Sequence, residues 1–168
     1  MPSFLLVALA CTLLSIAMLS DVATRTIPNP IPLGILGIGA IERIISQDVM
    51  AALLASAPVL VFGMLCWRRG WLGGGDVKLG TACAWLMSPT LVPLFVWWTA
   101  IAGGVLAGLY LLTGWFSRRT QRKPRIDHHP RSLIARIQHV ELWRIRRGTP
   151  LPYGCAIATG SLLAMSSG

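Results

Sequence analysis

Charge is what this chain has least of. Asp, Glu, Lys and Arg together make up 12% of 168 residues, against 54% hydrophobic residues. A soluble domain gives about a quarter of its positions to charge, so this composition excludes a water-surrounded globule. The mean hydropathy of +0.65 assigns the chain to proteins whose solvent is largely lipid. Cysteine is sparse as well. Cys11, Cys66, Cys83 and Cys155 lie in apolar stretches, without C-x-x-C spacing and without a nearby His. That pattern argues against a zinc site or a disulfide framework and reads them as small buried hydrophobes. No metal and no cofactor is expected. There is no P-loop, no internal repeat and no second domain, so residues 1–168 read as one membrane-embedded unit.

What the chain does have is apolar runs. Six of them approach the length needed to cross about 30 Å of hydrocarbon at about 1.5 Å per residue. They are Ser3 to Ser20, Pro30 to Ile45, Met50 to Trp67, Leu72 to Met87, Leu91 to Phe116 and Pro150 to Ser166. The second, fourth and sixth are short, and Gly and Pro interrupt several, as helices packed against other helices tolerate. The fold class is therefore all-α, a polytopic membrane protein of about six transmembrane helices. The first run has no basic residue before it, and Arg25 falls after it, so it reads as a retained span rather than a cleaved signal peptide.

The distribution of positive charge sets the orientation, because cytoplasmic loops collect Lys and Arg. With the N-terminus outside, Arg25, Arg68, Arg69, Lys78 and the ten basic residues from Arg118 to Arg147 all fall inside, and only Arg43 falls outside. The expected topology is N-out and C-out. The loop 117–149 holds those ten basic residues against Asp127 and Glu141, which is +8 of the net +9, and all three histidines. Leu133, Ile134, Ile137 and Val140 follow helical spacing there, so the loop is expected to lie along anionic headgroups, with membrane lipid as its partner. No recognised module accompanies the basic run, and nucleic acid is not an expected partner. The adjacent His128 and His129 read as solvated loop residues rather than metal ligands.

With only six acidic residues, each can be weighed. Glu42 and Asp48 flank an outer loop and read as solvated; Asp127 and Glu141 sit among arginines. Asp21, at the end of the first run, and Asp76, at the start of the fourth, remain. Two spans lie between them, and an even number of crossings returns the chain to the same face. A carboxylate near hydrocarbon is costly unless it is used. Two carboxylates within reach of each other do not both ionise easily, which provides one base to activate water and one acid to protonate a leaving amine.

The surrounding residues admit more than one reading. Gly73, Gly74 and Gly75 let substrate or another helix approach the backbone closely and leave the loop free to flex. Arg25 and Lys78 are either positive-inside anchors or groups that steady a carboxylate or a substrate acid. Pro28 and Pro30 around Asn29 break the chain between helices. Tyr153 is an interfacial tyrosine whose hydroxyl could reach the same site, and Asp76 could also serve as a helix cap.

With these residues in place, the chain resembles the type IV prepilin peptidases, intramembrane aspartic proteases with a G-x-G-D signature. The matching residues are Gly73, Gly75 and Asp76 followed by Lys78; Asp21, Arg25, Ile27, Pro28 and Asn29; and Pro152, Tyr153 and Gly154. Ser20 before Asp21 separates it from presenilin-like proteases, which carry Tyr there. The resemblance implies an aspartic endopeptidase of the bacterial inner membrane with Asp21 and Asp76 as catalytic residues. Gly73, Gly74, Gly75, Lys78, Arg25, Pro28, Asn29 and Tyr153 would then shape the site. It also implies that pilin or pseudopilin precursors are the partners, cut at the cytoplasmic face after a leader glycine. The paired C-x-x-C domain of longer members, which also methylate the new N-terminus, is not in this sequence, so it resembles the short form of tight-adherence (Flp-type) systems. A small proton-coupled transporter and a non-catalytic assembly factor of a secretion system are the competing classes.

Overall fold

A computed structural model describes residues 4–119 and 151–167. Each of the six apolar runs forms a helix, and no strand occurs among the described residues. The helices are α1 (Phe4–Thr24), α2 (Pro30–Ser46), α3 (Val49–Arg68), α4 (Gly74–Leu86), α5 (Val92–Arg119) and α6 (Tyr153–Ser166), with a 3-10 turn at Pro89–Leu91 before α5. The chain divides into two compact units. One holds Met1–Gly103 with Pro152–Gly168; the other holds Gly104–Leu151, whose described part is the C-terminal portion of α5 and Leu151. The basic loop 117–149, with its expected surface helix and lipid contact, lies outside the described residues apart from the end of α5.

Local chemistry explains where the helices stop. α1 ends because Arg25 takes a left-handed backbone (φ +57°), and its N–H still reaches the Asp21 carbonyl at 2.9 Å. The Ser20 hydroxyl donates to the Thr26 carbonyl at 2.8 Å and closes the turn. Pro30, whose missing N–H costs nothing at a first helical position, starts α2. Gln47 ends α2 in a second left-handed conformation, φ +55°. α4 begins after Gly73 and ends where Met87 turns extended.

Length separates the helices into two kinds. The segments Leu5–Thr24, Val49–Arg68 and Pro89–Thr113 are long and apolar enough to cross a membrane. α4, with 13 residues, spans about 20 Å, and α6 is one residue longer. The expected six crossings are thus six helices, of which three meet the length of a full span. The long ones turn apolar side chains outward, among them Leu19, Leu54, Phe62 and Trp97, each at least two-thirds or so exposed. The short α4 is the inner element: it packs on α3, α2 and α6, and α6 also lies along α1. Leu14, Ile35, Leu79, Cys83 and Phe95 are fully or almost fully buried in the core between them.

One reading of the acidic residues changes. Glu42 is 6% exposed rather than solvated, and neighbouring Arg43 is 5% exposed. Arg43 Nη1 meets Asp48 Oδ2 at 2.6 Å, and Nη2 donates to the Leu86 carbonyl at 3.4 Å. The physical reason for the burial of Arg43 is the shortness of α4: its last carbonyls end inside the bundle, and the last turn of α2 supplies a guanidinium to meet one of them.

Candidate active site

The site is assembled at the other end of α4. Asp21 lies in the last turn of α1, which continues past Ser20 to Thr24, and its side chain is 5% exposed. Asp76 is the third residue of α4 and half-buried. The glycine run is less a loop than a helix start. Gly73 is the residue that precedes α4, and its N–H donates to Asp76 Oδ2 at 3.2 Å. Gly74 and Gly75 already belong to the first turn. So Asp76 does cap its own helix, reaching back to a backbone donor that would otherwise be unpaired.

α6 contributes as well. Asp76 lies within electrostatic reach of Asp21 and of the Gly154 backbone at the start of α6. On its other side Gly154 meets Asp21. A methyl group built on Gly154 would stand 2.7 Å from Asp21 Oδ2 and 2.9 Å from its Cγ. α1, α4 and α6 therefore converge with the two carboxylates and one buried glycine at the junction. The Cys155 thiol, donating to the Met18 carbonyl at 3.7 Å, ties α6 to α1 beside that junction.

The other residues singled out by the sequence fall into distinct places. Gly75 lets the α1–α2 connection pass close by, since a methyl there would sit 3.3 Å from Ile27 Cβ. Lys78 and Asn29 meet directly: Nζ donates to Oδ1 at 3.0 Å, on the exposed rim. Pro28 offers its carbonyl to the Ile31 N–H at 3.1 Å, at the exposed entrance to α2. Arg25 is half-buried at the turn that ends α1. Gly74 faces the Trp67 indole, and the Tyr153 ring lies beside Gly103 of α5. Among the described residues no group of three or more His, Cys, Asp or Glu side chains converges as a metal site.

In the sequence Gly154 stands out only as the last residue of the Pro152–Tyr153–Gly154 match, with no role attached. Its signal was there, a Pro-Tyr-Gly run opening the last apolar segment. What that run meets depends on where α6 docks, which the sequence alone does not supply. Chemically, the junction offers two carboxylates on rigid helix ends, backbone donors from two helix starts, and an exposed polar rim beside them.

A model of the type IV leader peptidase family matches residues 8–108, which include both aspartates and all three glycines of the run but stop short of α6. Neither a curated protein nor a solved structure matches the chain.

Proposed function

Because the chain belongs to the type IV leader peptidase family, we propose that it is an aspartic endopeptidase that removes the basic leader from pilin or pseudopilin precursors at the cytoplasmic face of the bacterial inner membrane. The observation that carries this reading is that Asp21 and Asp76, on helix ends 55 residues apart in sequence, come within electrostatic reach of each other. A peptidase whose reacting groups are carboxylates must activate water. A carboxylate pair holding one proton does so: the ionised member takes a proton from water as it attacks the scissile carbonyl, and the other gives its proton to the carbonyl oxygen. Collapse of the tetrahedral intermediate then returns a proton to the leaving amine, and the pair is restored.

The substrate must be extended where it is cut, because a helical peptide bond is shielded by its own turn. The helix ends at the site favour this. The bond to be cut would lie where α1 stops and α4 starts, beside the exposed Lys78–Asn29 rim, with the precursor's apolar helix left to the lipid. Transport is the weaker reading, since a transporter would more often place its carboxylates on broken helices near the bilayer midplane.

The test is the mass of a pilin precursor co-expressed in membranes with the intact protein, with Asp21→Asn and with Asp76→Asn. Cleavage after the leader glycine by the intact protein, lost in both variants while each still accumulates, is the expected outcome. Processing that survives in both would remove the aspartates from the chemistry, and proton flux in liposomes would then be measured.

A further inference from the structure

The two carboxylates come from α1 and α4, yet the seat of Asp21 is made by α6. Gly154 of α6 is buried against the Asp21 side chain. Its Cα side leaves no room for a methyl, which would meet Asp21 Oδ2 at 2.7 Å, Asp21 Cγ at 2.9 Å and Ile27 Cδ1 at 3.0 Å. Contacts under 3.0 Å are essentially never made by a real Cβ, so any side chain at 154 must displace the Asp21 carboxylate or Ile27. Asp76 lies within electrostatic reach of Asp21, so the seat of one carboxylate bears on both. We infer that Gly154 is a positioning residue for the aspartate pair: the side chain it lacks makes the seat for Asp21, and so sets how Asp21 stands towards Asp76. Gly154 has this role only if Asp21 and Asp76 are the catalytic pair, so the assignment rests on the function proposed here.

Gly160, two turns further along α6, provides the internal control. A methyl there would collide with the backbone of Thr99 on α5, standing 2.7 Å from its N and 2.8 Å from its Cα. It is as crowded as Gly154 but meets no carboxylate. A merely structural role for Gly154 would make the two substitutions behave alike.

The full-length protein in lipid nanodiscs is assayed on a synthetic precursor with a basic leader, a glycine and an apolar helix, and rates are taken per folded molecule. For Gly154→Ala, kcat is expected to fall about 100-fold, the scale of a one-ångström misplacement at a reacting centre, with KM little changed. Gly160→Ala is expected to lower thermal stability while kcat per folded molecule stays near that of the intact protein. A second readout needs no substrate: the pH dependence of labelling of Asp21 and Asp76 by a hydrophobic carbodiimide, which adds to protonated carboxyls and is located by mass spectrometry. That profile should move in Gly154→Ala and stay in place in Gly160→Ala. If Gly154→Ala accumulates poorly, it is combined with Ile27→Val, which removes the Cδ1 contact and keeps the one to Asp21, and is compared with Ile27→Val alone. Unchanged kcat and labelling in Gly154→Ala, or equal losses in both glycine variants, would overturn the assignment. If Asp21→Asn and Asp76→Asn abolish cleavage while Gly154→Ala does not impair it, only the role of Gly154 falls. If both Asn variants still cleave, the catalytic reading falls and takes the role of Gly154 with it.

Discussion

At the scale of single residues, the proposed chemistry depends on one proton shared by two side chains. With both Asp21 and Asp76 protonated no base is available, and with both ionised no acid is available. Cleavage should therefore rise and then fall with pH, and the two limbs belong to the pair rather than to either residue. The check is kcat/KM for a precursor measured across pH on the reconstituted protein; a rate that changes in one direction only would be at odds with a shared proton. The Lys78–Asn29 hydrogen bond offers a second prediction at this scale. It joins α4 to the connection that follows Asp21, across 49 residues, and it is exposed, so its net worth is about 1 kcal/mol or less. Lys78→Ala and Asn29→Ala should each cost about that much in thermal stability, and the double variant should cost less than their sum, because each single change already breaks the same bond. Additive losses would mean that the two side chains act separately. The aspartates stand out in the sequence because acidic residues are so few and because, with the expected six crossings, the two fall on one face. Gly154 was not legible as a site residue. Its contribution is an absent side chain, which has no meaning until α6 is docked against α1.

At the scale of elements, the feature that matters most is how short α4 is. The apolar run Leu72 to Met87 is visible from composition, but where the helix stops depends on capping. Gly73 and the reach-back of Asp76 fix one end, and the extended backbone of Met87 fixes the other. Hydropathy reports which residues prefer lipid; it does not report that this helix is an inner strut enclosed by longer ones. The same gap explains why Glu42 and Arg43 read as loop residues and turn out buried. Arg43 links three elements: it sits on α2, pairs with Asp48 before α3, and donates to the Leu86 carbonyl at the end of α4. Removing one member of a buried ion pair costs about 3–5 kcal/mol, and here the low end applies because the Asp48 side chain keeps 28% exposure. Arg43→Ala should therefore lower the unfolding midpoint markedly, measured by thermal denaturation in detergent. Since α4 holds Asp76 at its opposite end, about 15 Å away along the axis, kcat per folded molecule should survive. A variant that stays as stable as the parent would show that the clasp contributes nothing; one that stays stable but loses turnover would mean the outer end of α4 communicates with the site.

At the scale of the whole molecule, the asymmetry of charge is the strongest constraint that composition imposes. Apart from the stretch Arg118 to Arg147, the chain is nearly neutral, and that one stretch carries +8 of the net +9. Such a concentration of Lys and Arg beside a long apolar helix has two physical consequences. It resists translocation, and positive charge of this kind collects on the cytoplasmic side of membrane proteins. It also attracts the anionic leaflet, at about 1 kcal/mol for each basic residue close to the surface, within a screening distance of about 10 Å at ordinary salt. A leader peptide is itself basic, so the same charges would repel a substrate rather than draw it in. The stretch should thus serve retention and orientation, and the carboxylate junction should serve turnover, as two separable functions of one chain. Replacing six of its arginines by glutamine is expected to reduce the amount of protein in the membrane, or to scramble its topology in accessibility labelling, while precursor cleavage per inserted molecule stays near that of the parent. Vesicles low in anionic lipid should reproduce the first effect for the parent protein, because they remove the other half of the same attraction. Normal membrane levels combined with a selective loss of cleavage would instead assign the basic stretch to the substrate, and the repulsion argument would have failed against some acidic feature of the precursor.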